Sequence, residues 1–195
     1  MTMPAAVEQL LASGAAVHTE LMFHMVAKNR ATGADEPLSV WTGEGDRVFD
    51  IGGNRTYRGG GALIDIPPIT YSAGLTINYI EVTLSGAAPF VRTAMFTHNP
   101  KFAPVEIHVA FYSAATLNFV GLWRPFKGIE SESDLSRAPR TGQQVYQIKC
   151  ASSARQLTLK STRRKSNQAM TASNPGDTFR KFAAAVKSAR AQWKG

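Results

Sequence analysis

The chain of 195 residues contains four histidines, one cysteine and 14 acidic residues that could take part in chemistry. His18 and His24 lie six residues apart in a run of alternating apolar and polar residues, so an extended strand would hold them about 20 Å apart. They cannot share a metal ion within that strand. His108 and Glu106 are two apart and can touch on one strand face. We expect His18 and His24 to be surface histidines, or histidines with satisfied hydrogen bonds, and we expect no metal site.

The single cysteine, Cys150, stands in a strand-like stretch. A nucleophilic cysteine needs a neighbouring base and a third group that orients the base. A lone cysteine in a strand is more often a small buried apolar residue. It forms no disulfide within one chain and no multi-cysteine zinc or iron–sulfur site, and it fits a reducing compartment. We therefore expect no catalytic residue, no cofactor and no enzymatic activity.

Three consecutive glycines, Gly59 to Gly61, invite comparison with a phosphate-binding loop. Such a loop ends in Gly-Lys-Ser or Gly-Lys-Thr and opens a helix. Here Ala62, Leu63 and Ile64 follow the glycines, and these residues are typical of a strand. The run therefore predicts tight turns and no nucleotide site.

The positive charge is concentrated in one part of the chain. The net charge is +8, and residues 149–195 contain eleven basic residues and one acid. Lys160, Arg163, Arg164 and Lys165 form the densest group, which predicts contact with an anionic partner or a neighbouring subunit. Phosphate contact is one interpretation. The other is a solvated or protein-docked extension, because aromatic residues that would stack on single-stranded bases are missing from 161–173.

Most of the elements that must position these residues are strands. Period-two alternation and β-branched residues predict strands at 17–25, 38–41, 77–84, 105–112, 117–123 and 145–151, with short helices at 4–12 and 87–96. Glycine-rich hairpins are expected at 48–66, and a polar loop at 131–144. Many short strands broken by glycine and proline favour a mainly β fold, a β-sandwich or split β-barrel, as a core domain at 1–160.

The last segment, 161–195, is expected to lie outside this core. Residues 161–173 contain only one large apolar residue and predict an extended basic arm, and 178–193 have the spacing of an amphipathic helix capped by Asp177. The N-terminus lacks the features of a signal peptide, and no apolar run reaches the roughly 20 residues of a membrane span. We expect a protein made in the cytoplasm without a membrane partner.

Four segments in chain order resemble a family of tail-tip proteins of long-tailed bacteriophages and gene transfer agents. They are Leu38–Asp46 (LSVWTGEGD), Thr56–Ile66 (TYRGGGALIDI), Ile80–Gly86 (IEVTLSG), and Arg163–Ser166 followed by Asn174–Phe179 (RRKS, NPGDTF). The residues that carry the motifs are Trp41, Gly43, Gly45, Asp46, Tyr57, Gly59, Gly61, Leu84, Ser85, Gly86, Pro175, Asp177 and Phe179.

The resemblance implies a distal tail protein or the connector beside the hub, with a β core related to that of the tail-tube subunit. It implies a ring of identical copies, hexameric in this family, that joins the tail-tube protein to the baseplate hub protein around the channel for passing DNA. The basic arm would then reach a neighbouring subunit. The cysteine-held iron–sulfur cluster of some related connectors does not carry over, because Cys150 stands alone. The alternative is a nucleic-acid-binding β protein that grips phosphates with its basic C-terminal segment.

Overall fold

The computed structural model describes residues 3–70, 76–137, 144–155, 167–179 and 181. The chain divides into two compact units, Met1–Gln156 and Leu157–Gly195. The first unit contains every strand among the described residues. The predicted boundary between core and basic segment, at 160, stays a prediction because it falls outside the described residues.

Strands dominate the first unit, which confirms the prediction of a mainly β fold. The helices that the structure describes in this unit include α1 (Ala5–Ala12) and α2 (Pro89–Thr97). Its strands are β1 (Val17–Asn29), β2 (Asp35–Trp41), β3 (Arg47–Asp50), β4 (Asn54–Tyr57), β5 (Leu63–Asp65), β6 (Tyr79–Ser85), β7 (His98–Asn99), β8 (Pro104–Ser113), β9 (Phe119–Arg137) and β10 (Gln144–Ser152).

The main sheet is antiparallel, with the spatial order β2-β1-β8-β9-β10-β6-β5, and β7 pairs with the end of β1. It curls into a half-barrel. The predicted hairpin of β8 and β9 is confirmed by their pairing from Pro104–Ile129 to Tyr112–Phe119. Strands β3 and β4 form a separate hairpin, the β3–β4 hairpin.

The chain between β4 and β6 bridges the two edges of the curled sheet. The backbone N of Arg58 donates to the Ser39 carbonyl (3.0 Å), and the N of Trp41 donates to the Arg58 carbonyl (3.1 Å), which forms a parallel bridge to edge strand β2. Four residues later, the carbonyl of Ala62 accepts a bond from Ser85 of β6 (2.8 Å). A short glycine-rich connection therefore satisfies backbone groups at both edges, which would otherwise be open to pairing with other chains.

The core has two parts on opposite faces of the sheet. The larger cluster fills the concave side and includes Phe23, Leu84 and Ile107. A smaller cluster lies under the β3–β4 hairpin and consists of Met22, Trp41, Phe49, Tyr57, Ala110 and Tyr112. Strand β1, expected to be half-buried, is therefore covered on both faces near its centre, because the hairpin packs over its second face.

Two sequence-based expectations were wrong in part. Residues 131–137, expected in a polar loop, continue β9, because their backbone pairs with β10 from Glu132–Lys149 to Arg137–Gln144. Their polar side chains are mostly exposed and hide the strand pattern. Residues 167–173, expected in an extended arm, form helix α3 (Asn167–Ser173) of the second unit. Its serine and threonine hydroxyls bond back to carbonyls four residues earlier, and it has no buried residue, so no apolar stripe reveals it.

Candidate functional site

Four motif residues from two separate segments meet in one close-packed turn, which we call the glycine turn: Trp41, Gly43, Gly45 and Gly59. The Trp41 indole Nε1 donates to the Gly45 carbonyl (2.9 Å), which folds the loop back over the ring. A Cβ on Gly43 would overlap the Trp41 ring, and one on Gly59 would overlap the carbonyl oxygens of Gly43 and Gly45. The glycines are therefore needed for close approach of backbone and ring.

The neighbouring motif residues have different environments. Tyr57 is fully buried in the smaller core cluster, next to Phe49 in an edge-to-face ring contact with centroids 5.8 Å apart. Asp46 is exposed beside the glycine turn. Gly61 has a positive φ of 78°, a conformation that glycine adopts without steric cost. Tyr57 therefore packs, whereas Asp46 remains available to solvent.

The third motif lies where β6 ends, away from the glycine turn. Leu84 is fully buried in the larger cluster, and Ser85 bonds to the bridging segment. The N of Gly86 donates to the Gln144 carbonyl (2.9 Å), and a Cβ there would press on that same carbonyl. The motif therefore packs and hydrogen-bonds at the point where the pairing of β6 with β10 ends.

The C-terminal motif belongs to the second unit. The Asp177 side chain accepts a hydrogen bond from the backbone N of Phe179 (2.9 Å), as an N-cap residue does, and the Phe179 side chain is 85% exposed. Pro175 stands in the preceding turn. The helix predicted at 178–193 is outside the described residues, apart from its first few positions. The basic residues Lys160, Arg163, Arg164 and Lys165 also lie outside the described residues.

A partly buried charged network lies under the β3–β4 hairpin, and the sequence indicated only its Glu106–His108 neighbourhood. Glu106 of β8 accepts from Arg55 of the hairpin (2.7 Å) and from Arg124 of β9 (2.9 Å), and Lys127 lies 3.6 Å away. Burial raises the pKa of Glu106, but the hydrogen bond and charge of Arg55 outweigh burial, so the pKa is lowered. The carboxylate thus stays ionised and fastens the hairpin to the sheet.

Two imidazoles lie beside this network. His24 is buried and shares a hydrogen bond between Nδ1 and the Ser39 hydroxyl (2.8 Å). His108 is 1% exposed, its Nε2 is 4.0 Å from Glu106, and neither ring nitrogen has a hydrogen bond in the described part of the chain. His108 is thus a buried imidazole that the sequence did not indicate. Burial lowers the pKa of each ring to about 4; the charge of nearby arginines acts in the same direction and the charge of Glu106 opposes it.

These imidazoles predict a loss of stability in mild acid. Their pKa is about 4 when folded and near 6.5 when unfolded, so the unfolded chain binds more protons between those values. The free energy of unfolding should fall by about 2–3 kcal/mol per ring between pH 6.5 and pH 4. Urea unfolding of the wild type and of His108→Asn at several pH values measures this.

Glu130 has the opposite effect on the pH dependence of stability, because burial raises its pKa and the folded chain then binds the extra proton. The contribution of the histidines is therefore measured as the difference between variants. His108→Asn should therefore reduce the slope of stability against pH above pH 4.5 relative to the wild type. Equal slopes in the two proteins would contradict the assignment.

Cys150 is fully buried, and burial, with a smaller contribution from the charge of Glu130, raises the pKa of its thiol to about 12. The thiolate is the reactive form, so the folded chain should resist thiol reagents. We expect labelling by a chromogenic disulfide reagent to proceed only as fast as the chain opens, and stoichiometrically in denaturant. Prompt labelling of the folded chain would show that the thiol is accessible.

An open groove of about 1110 Å³ separates edge strand β2 from the β3–β4 hairpin. His24, Ser39, Arg55 and Arg58 are among its lining residues, and the Arg58 guanidinium stacks on the ring of Phe90 of α2 (5.0 Å). Two of the charged lining residues are in ion pairs: Arg55 with Glu106, and Glu36 with His98 (2.6 Å). Asp46, also in the lining, is exposed.

No described group of three or more histidine, cysteine or acidic side chains is arranged to hold a metal ion. Within the same residues, no helix has the length and apolar character to cross a membrane. The Glu106 network escaped sequence analysis because Arg55 and Glu106 are 51 residues apart and neither belongs to a motif. Only the pairing of β1, β8 and β9 brings its members together.

Comparison with protein-family models gives no match, and comparison with curated proteins gives no significant one. Among solved structures, the chain is similar to a chain of the "Virion of native gene transfer agent (GTA) particle", with a TM-score of 0.57 and 14% identity. The similarity covers 84% of this chain and 49% of that chain, so this chain spans about half the length of the one it matches. At this identity the likeness shows the fold: this chain shares its curled β architecture with a chain of a virion particle.

Proposed function

We propose that this chain is a non-enzymatic structural component of a phage-type virion, and that it forms a ring at the tail tip of a long-tailed phage. The observation that carries the proposal is the fold shared with a chain of a gene transfer agent virion over 84% of the present chain. The four motifs that resemble the tail-tip family point to the same class of particle.

The packing of the motif residues supports a structural role. The glycine turn is built by Trp41, Gly43, Gly45 and Gly59, and Leu84 to Gly86 end the pairing of β6 with β10. These residues define backbone shape, and they leave the outer surface free to vary with the partner. In the proposed ring, hexameric by family resemblance, that shape positions each copy between the tail-tube protein and the hub protein.

The basic C-terminal segment, 161–195, is proposed to contact a neighbouring subunit or the passing DNA. It holds eight of the 22 basic residues and only one of the 14 acids. An arm that crosses a subunit boundary adds interface without enlarging the core, and ring symmetry repeats the contact.

Light scattering and negative-stain imaging of the purified chain, at low and high salt, test ring formation. Annular particles with a central hole are expected. Antibody labelling of virions tests the location, with label expected at the tail tip opposite the capsid. Purified virions that lack the chain would contradict the structural role, and label on the capsid would contradict the tail-tip position.

The charge asymmetry also favours a second candidate, a nucleic-acid-binding β protein. Phosphate contacts release counterions, so DNA binding should weaken steeply with salt. The logarithm of the binding constant should fall with the logarithm of the salt concentration, with a slope close to the number of phosphates neutralised. Deleting 160–195 should abolish such binding. An absence of DNA binding at low salt would dismiss this candidate and leave the subunit contact.

A further inference from the structure

The β3–β4 hairpin covers the main sheet without joining its hydrogen-bond ladder. Its two strands pair with each other and, among the described residues, with no strand of the main sheet. Side chains attach it: Phe49 and Tyr57 pack in the smaller core cluster, and Arg55 donates to Glu106 of β8. The bridge of Arg58 to β2 follows the hairpin and tethers its end. The hairpin can therefore leave the sheet as a unit while the main sheet keeps its backbone pairing.

Two buried imidazoles, His24 and His108, lie on the face of the sheet that the hairpin covers. The centroids of the His24 and Tyr57 rings are 6.2 Å apart, and Tyr57 belongs to β4. His108 stands between Glu106 and Ala110 on β8, where every second side chain shares that face. With the hairpin in place, a proton on either ring would add a charge with little access to water, which is unfavourable unless a counter-charge pairs with it.

The two oxygens of the Glu106 carboxylate have different partners. Oε2 accepts from Arg55 of the hairpin (2.7 Å), and Nε2 of His108 lies 4.0 Å from this same oxygen. Oε1 accepts from Arg124 (2.9 Å) and lies 3.6 Å from Nζ of Lys127, and both of these residues belong to β9. A protonated His108 would therefore compete with the hairpin for Oε2, whereas the cations of the sheet would keep Oε1.

The charges around the two rings oppose proton binding while the hairpin covers them. In the part of the chain that the structure describes, these groups are Arg55 and Tyr57 of β4, Glu106 of β8, and Arg124 and Lys127 of β9. Strand β2 adds the uncharged Ser39 hydroxyl beside His24, and Arg47 of β3 lies over the rings of Phe49 and Tyr112. Three cations thus surround one carboxylate before either imidazole is protonated.

We propose that the β3–β4 hairpin is a proton-sensitive flap, which protonation of His24 and His108 releases from the sheet in mild acid. Each ring binds a proton more tightly when the hairpin is open, because water then solvates the charge. The open state is therefore favoured increasingly as the pH falls below about 6.5, the ordinary pKa of histidine. Opening uncovers Met22, Ala110 and Tyr112, an apolar surface that the closed chain hides. The release occurs within one chain and does not depend on the proposed ring.

Hydrogen exchange of the full chain at pH 7 and pH 5, read by mass spectrometry and corrected for the intrinsic rate at each pH, tests the release. Protection of the amides in 47–57 should fall by about tenfold or more for each ring that is freed. This exchange should not accelerate in dilute urea, because a local opening exposes little surface. Amides of the β8–β9 ladder in 105–112 are the internal reference, and they should stay better protected at both pH values and respond to urea.

His108→Asn and His24→Asn distinguish the flap from a general loss of stability in acid. Each should reduce the pH effect on the hairpin amides by about tenfold, and urea unfolding at pH 7 establishes that the variant is folded. Equal protection of hairpin and reference amides at pH 5 would mean that the chain opens only as a whole, which overturns the inference. An unchanged pH effect in both variants also overturns it, because the protons would then bind elsewhere. Antibody labelling of virions tests the proposed function independently of these outcomes.

Discussion

Glu106→Gln is expected to lower the free energy of unfolding by about 2–3 kcal/mol. The substitution leaves Arg55, Arg124 and Lys127 around a neutral amide, so three cations lose their counter-charge. Removing one partner of a fully buried pair costs more, but the Arg55 and Arg124 side chains keep 31% and 25% exposure, and water offsets part of the loss. Urea unfolding at pH 7 measures the change.

Asp35→Asn is a charge-matched control for Glu106→Gln. It also removes one acid from an ion pair, but Lys28 and Asp35 are 69% and 66% exposed, so the effect should stay within about 0.5 kcal/mol. The double variant Glu106→Gln/Arg55→Gln should lose less free energy of unfolding than the two single variants together, because either single change already removes the contact between the two side chains. Additive effects would mean that Glu106 does not hold the hairpin.

Gly59→Ala is expected to destabilise the chain by about 3 kcal/mol, because the new Cβ would overlap two backbone carbonyl oxygens that cannot rotate away. The affected carbonyls, those of Gly43 and Gly45, are also held by Gly60 N and by the Trp41 indole. The glycine turn must therefore open to admit the methyl group. Thermal and urea unfolding measure the loss, and acrylamide quenching of Trp41 fluorescence, with Trp123 and Trp193 replaced by phenylalanine in both proteins, reports the opening.

Gly60→Ala, one residue later, separates close packing from backbone strain. Gly60 has a positive φ of 74° and open space where a Cβ would stand, so its substitution should cost only about 1 kcal/mol through backbone strain. If Gly59→Ala lowers the free energy of unfolding no more than Gly60→Ala does, the close approach at Gly59 does not contribute to stability. The glycine turn would then not depend on close packing at Gly59.

The sequence alone determined the local elements, because alternation and turn residues report the environment of each residue and its near neighbours. The run from Val17 to Met25 predicted β1, and two alternating runs separated by a short linker predicted the β8–β9 hairpin. The prediction of a loop was wrong at 131–137, because exposed polar side chains on both faces hide the alternation of a strand. Backbone pairing with β10 maintains that strand.

The motifs were visible in the sequence, but their contacts were decided by the tertiary structure. Spacing does not show that Gly59 packs on Gly43 and Gly45, because the β3–β4 hairpin intervenes and only the bridge of Arg58 to β2 brings the two segments together. The same hairpin covers the second face of β1 and buries His24, which alternation places on a polar face.

The charged network was likewise decided by the tertiary structure, since Arg55, Glu106 and Arg124 belong to three strands that become neighbours only in the folded chain. Composition gave the concentration of basic residues in 149–195 and the single cysteine. Burial decided the ionisation of Cys150, His24 and His108, because a pKa depends on the solvent and charges around a group in the folded chain. The sequence thus determined which groups exist and their local conformation, and long-range strand pairing determined which of them meet and in what environment.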